Sequence, residues 1–146
     1  MATGARVTAP ESDTGNLIRD SALGLVPETL PHYLNLTVAV WDTGPLGAAD
    51  IELARLRSAN YVGCVMCKAV RYDIAVQDGL DEQQVGMIND DFQASELSER
   101  QKLILRFVDL YLHNPGPPDA TFQAALDAEF SREEQTHLAL SLAYFN

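Results

Sequence analysis

Apolar residues recur along this chain at helical spacing, and residues that end helices interrupt them. Pro27 and Pro31 precede a run through Tyr33, Leu34, Val38 and Trp41, which Gly44-Pro45 stops. A second run over about 48–62 ends at Gly63. A third opens at Cys64, carries Val70, Ile74 and Ala75, and stops before Gly79, which is placed to take a left-handed cap. Asp81 with Gln84, Ser98 with Gln101, and Ser131 with Glu134 have the spacing of a capping box, in which two side chains satisfy the free N–H groups of a new helix. Leu103, Ile104, Phe107, Val108 and Tyr111 repeat at three and four and predict a core-facing stripe. Phe122, Leu126 and Phe130 continue it after the Pro115–Pro118 loop. No segment alternates as a strand would, so the predicted fold is all-α.

The boundaries follow from the same pattern. Residues 1–15, rich in Gly, Ser and Thr with Pro10, offer little apolar surface and are expected to form a flexible N-terminal arm, with order beginning near Leu17. Residues 16–146 are expected to form one helical domain. The last run, Leu138 to Phe145, is still apolar when it reaches Asn146. That predicts either a chain that continues or a helix completed by a neighbouring subunit.

Charge narrows the partners. The chain has 21 acidic and 10 basic residues, a formal charge of −11, and no Lys/Arg cluster to neutralise a run of phosphates. Nucleic acid and anionic membrane surfaces are therefore poor partners. No stretch approaches the roughly 20 apolar residues of a membrane span, and residues 1–15 lack the apolar centre of a signal peptide. The expected compartment is the cytosol.

There thiols are kept reduced, which gives weight to the only two cysteines, Cys64 and Cys67. On a continuous helix at about 100° per residue, Arg71 would project within roughly 20° of Cys64 and about 40° of Cys67. One face would then carry two thiols and a guanidinium. A thiolate is the reactive form, and a helix N-terminus or a nearby cation lowers a thiol pKa from about 8.5. The competing readings are a pair of small buried side chains and a zinc half-site, the latter short of the four ligands a closed site needs. No metal or cofactor is expected. His32, His113 and His137 show no ligand spacing and are expected at a surface or interface.

The stretch from Glu52 to Cys67, with a Glu twelve residues before a Cys-x-x-Cys, resembles the core of the carboxymuconolactone decarboxylase/AhpD-like (alkylhydroperoxidase) family. Gly79-Leu80-Asp81-Glu82 and Leu97-Ser98-Glu99-Arg100 are similar to it too, and the resemblance runs from about residue 30 to the end. It implies an AhpD-like helical fold, a homo-oligomer, and an antioxidant thiol peroxidase or disulfide reductase. The substrate would be a small-molecule peroxide or disulfide, and the electron donor a thiol. By the same resemblance Cys67 is the attacking thiol, Cys64 the resolving one and Glu52 part of a proton relay. The position of Cys64 nearer the helix N-terminus argues for the opposite assignment.

One residue departs from the family. Its motif continues to a histidine four positions after the second cysteine, where this chain has Arg71. Arginine favours a thiolate by charge but cannot accept its proton, so a slow peroxidase is expected. Arg71 is expected to pair with Glu52. Two rival functions remain open: a lactone decarboxylase using Arg71 and Glu52 on a carboxylate substrate, and a binding or scaffold subunit that kept the fold without catalysis.

Overall fold

The helix over Ala48–Tyr61 has no solvent face: Ile51, Glu52, Leu53, Ala54, Arg55, Leu56, Arg57, Ser58 and Ala59 are all buried in succession. A helix enclosed on every side must lie at the centre of its unit. The computed structural model describes residues 7–16 and 18–146. Residues 1–6 and Leu17, on which part of the expected arm and its expected end fall, lie outside the described residues. All regular elements among the described residues are helical, and none is a strand.

The chain forms two units, residues 1–38 and 39–146. In the first, a 3₁₀ turn over Ala22–Leu25 is capped by the Ser21 side chain, and α1 spans Leu30–Val38. Asp20 ties the preceding segment back, accepting from the Thr14 N–H and from the Ser12 and Thr14 hydroxyls.

The second unit opens with a π-helical turn over Ala39–Thr43, followed by the central helix α2 (Ala48–Tyr61). Three five-residue helices come next: α3 (Val65–Ala69), α4 (Asp73–Gln77) and α5 (Glu82–Gly86). Then follow α6 (Glu99–His113), α7 (Ala120–Glu129) and α8 (Arg132–Phe145). Helix α2 packs against α6, α8, α4 and α3. Ile51 and Leu53 of α2 meet a core of Ile104, Leu105, Val108, Leu126, Leu138 and Leu142, all fully buried. All three predicted capping boxes form, at the starts of α5, α6 and α8. Gly79 lies just beyond α4 with φ +103°, the predicted left-handed cap. Of the predicted α6 stripe, Leu103, Ile104 and Val108 are buried, whereas Phe107 and Tyr111 are half-buried.

Two expectations are corrected. The third apolar run is not one helix: it breaks at Val70, whose backbone is extended, and resumes at Asp73. On an unbroken helix Cys64 and Ala75, eleven residues apart, would share a face within about 20°. The break lets Ala75 bury completely while both cysteines stay partly exposed. His137, expected at a surface or interface, is buried within its own unit in α8. Its ring packs against Gly44, where a Cβ would lie 1.9 Å from the imidazole, so the close approach depends on glycine.

The His137 Nδ1 accepts from the Leu46 N–H at 3.3 Å, which puts the proton on Nε2. No well-formed hydrogen bond satisfies that Nε2. Burial lowers the His137 pKa below 6.5, opposed only in part by the nearby Val40 and Ala39 carbonyls. The unfolded chain, with an ordinary value of about 6.5, therefore binds this proton before the folded chain does. Stability is full above that value and falls as pH drops through it toward the lower folded pKa. His137→Asn keeps an acceptor for the Leu46 N–H and removes the titration. Urea midpoints measured from pH 7.5 to 5 should fall more steeply for the wild type than for this variant.

Candidate functional site

Helix α2 ends at Tyr61, and Gly63 turns the chain with φ +68°, a conformation that side-chain-bearing residues resist. The turn delivers Cys64 as the N-cap of α3, its N–H donating back to the Ala59 carbonyl at 3.1 Å. Cys64 and Cys67 are joined in a disulfide with a Cα–Cα separation of 5.3 Å. Both lie at the first turn of α3, with Cys64 as the cap of that turn and Cys67 within it. The Cys64 sulfur also accepts the Cys67 N–H at 3.2 Å.

Beneath the disulfide lies an ion pair that sequence reasoning did not single out. Glu52 is fully buried, and both of its oxygens are held by Arg55, from Nε at 2.6 Å and Nη2 at 2.7 Å. The same guanidinium reaches up into the redox segment. Its Nη1 donates to the Cys67 carbonyl at 2.7 Å and its Nη2 to the Val70 carbonyl at 2.9 Å. Its face lies over the Tyr72 ring at 5.3 Å, and Tyr72 in turn stacks on Trp41 at 4.4 Å. Burial pushes the Tyr72 phenol above its ordinary pKa, with the Arg55 charge pulling the other way. The sequence signal was faint, a Glu and an Arg three residues apart in a helix that also carries Asp50 and Arg57; it becomes informative once α2 is known to be enclosed, because charges buried there must be paired.

The expected pairing of Glu52 with Arg71 is corrected. Because α3 stops at Ala69, Arg71 leaves the helical face and forms its ion pair with Glu82 at 2.8 Å. It also donates to the Lys68 and Val70 carbonyls. The one-face arrangement of two thiols and Arg71 therefore does not occur. Instead two guanidinium groups, Arg55 from the core and Arg71 from outside, satisfy carbonyls at the end of a five-residue helix. Each is anchored on its own carboxylate.

The stretch of chain that carries the disulfide exposes many apolar side chains. Tyr61, Val62, Val65, Met66, Val70, Tyr72, Ile74 and Val76 are exposed, Val65 and Met66 to more than 70% of their surface. Among the described residues, no group of three or more His, Cys, Asp or Glu side chains is placed to hold a metal ion, and no helix is long and apolar enough to cross a membrane. No protein-family model matches the chain, and no curated protein matches it at a significant level.

The two carboxylate–arginine pairs differ in what their loss should do. Glu52→Gln leaves the Arg55 guanidinium buried without its counter-charge, a change that typically costs about 3–5 kcal/mol. Glu82→Gln breaks a largely exposed pair, for which about 0–1 kcal/mol is expected. Urea unfolding of both variants should separate them clearly.

Proposed function

We propose that this protein is a thiol-based oxidoreductase of the AhpD-like type that cycles Cys64 and Cys67 between disulfide and dithiol. The observation that carries this reading is the partly exposed Cys64–Cys67 disulfide at the start of α3, held from below by Arg55. In the oxidising half-cycle one thiolate attacks an oxygen of a hydroperoxide, forming a sulfenic acid and releasing the alcohol. The second thiol then attacks the sulfenate sulfur, closing the disulfide and releasing water. Two thiols and one hydroperoxide thus give one disulfide, one alcohol and one water. A thiol donor returns the two electrons and two protons by exchange through a mixed disulfide.

In this reading Cys67 attacks and Cys64 resolves, as the family resemblance implies. Glu52 serves as the anchor of Arg55, since both of its oxygens are occupied there. Arg71 serves to hold the end of α3. The many apolar side chains exposed along the stretch that carries the disulfide support a homo-oligomer in which some of them are covered. A lactone decarboxylase using Arg71 and Glu52 together finds no support, as the two side chains serve different partners.

Thiol counting after one equivalent of peroxide tests the proposal on the pre-reduced protein. The wild type should lose two thiols, and Cys67→Ser should keep its remaining one. Inert thiols in the wild type would remove the redox reading. Loss of the single thiol in Cys67→Ser would instead transfer the attacking role to Cys64.

A further inference from the structure

The Cys64–Cys67 segment is gripped at both ends by the same helix. At one end the Cys64 N–H donates to the Ala59 carbonyl of α2 at 3.1 Å. At the other, Arg55 of α2 donates to the Cys67 carbonyl at 2.7 Å and to the Val70 carbonyl at 2.9 Å. Between these grips lie only five helical residues, none of them buried. So short a helix does not hold its shape alone, because too few hydrogen bonds offset the entropy of nucleating it.

Arg55 is suited to be the hold. It is 8% exposed, and its planar fork satisfies four acceptors at once: two oxygens of Glu52 and two carbonyls of the redox segment. A lysine in its place would keep the charge but present no such fork.

We infer that Arg55 is a positioning residue for the redox pair, fixing the backbone of α3 so that the two thiols stand at disulfide separation and thereby stabilising the disulfide relative to the dithiol. The inference rests on the redox reading only in taking the pair to interconvert between those two states. Its balance is that of thiol exchange with glutathione: the protein disulfide and two glutathione thiols give the protein dithiol and one glutathione disulfide.

Arg57 provides the matching control. It lies two residues away on α2, is equally buried, and is held by Asp109 and Asp90, yet it donates to no carbonyl of the redox segment.

The full chain and its Arg55→Lys, Arg55→Gln and Arg57→Gln variants are equilibrated with glutathione redox buffers at low temperature. Their disulfide fraction is read by alkylation and mass spectrometry, with circular dichroism confirming the fold. Both Arg55 variants should show an equilibrium constant for disulfide formation at least about tenfold lower, equivalent to a potential about 30 mV higher for this two-electron couple. Arg57→Gln should stay within about twofold of the wild type. Folded Arg55 variants within twofold of the wild type, or an Arg57→Gln shift of the same size, would overturn the inference.

A measurement on the wild type needs no variant to fold. Coupling is reciprocal, so reduction should loosen the Arg55 clamp in turn. Hydrogen exchange of the Arg55 Nη protons, followed by NMR, should quicken about tenfold on reduction, and an unchanged rate would overturn the proposal. Neither readout involves peroxide, so a shifted equilibrium in a protein inert to peroxide would retain the clamp and discard the peroxidase.

Discussion

A guanidinium enclosed in a helix without a solvent face is the constraint on which the rest of this structure turns. Arg55 is almost enclosed, so the N–H groups it buries must find oxygens inside the protein. Glu52, one turn away, supplies two. The others come from chain that has left α2, turned at Gly63 and come back over it. The buried charge thus requires a nearby segment with free carbonyls, and the end of a very short helix offers them. Packing, electrostatics and the placement of the cysteines are in this sense one arrangement.

The same solution recurs at two further arginines, one buried and one half-buried. Arg57 is held bidentate by Asp109 of α6 and also by Asp90, and its guanidinium lies over the Phe92 ring. Arg100 on α6 joins Asp50 of α2 to Glu134 of α8 and rests over Phe130. In a chain of net charge −11, these arginines spend acidic residues as internal partners. The pairs are specific in geometry: each ties two or more elements that are distant in sequence, fixing which helices meet more than how strongly.

Much of the helical framework was legible because its signals are local. Asp81, Ser98 and Ser131 cap through side chains three residues away, and Gly63 and Gly79 are needed at turns that no other element dictates. The site was legible only in part. The two cysteines are joined and Glu52 reaches their segment through Arg55, but Arg71 was read as an extension of a helical face that the chain abandons at Val70. Nothing local forbids an unbroken helix there. The break follows from tertiary demands, the burial of Ala75 against α2 and the stacking of Tyr72 on Trp41, which periodicity cannot reveal. Arg55 was overlooked because, three residues from Glu52, it reads as one of many surface helix pairs until its helix is known to be enclosed. His137 likewise became a core residue only through Gly44, which lies 93 positions away.

Between Tyr61 and Gly79 only one side chain, Ala75, is fully buried. So little apolar surface makes this stretch a sub-global opening unit: it can detach and return while the α2–α6–α8 core stays intact. The free energy of that opening is set by a few polar contacts to α2, and it lies below that of unfolding the whole molecule. Lifting of this segment would expose both sulfurs further, so the rate at which a bulky thiol reagent reacts should follow the population of the lifted state as well as the partial exposure of each cysteine in the closed one.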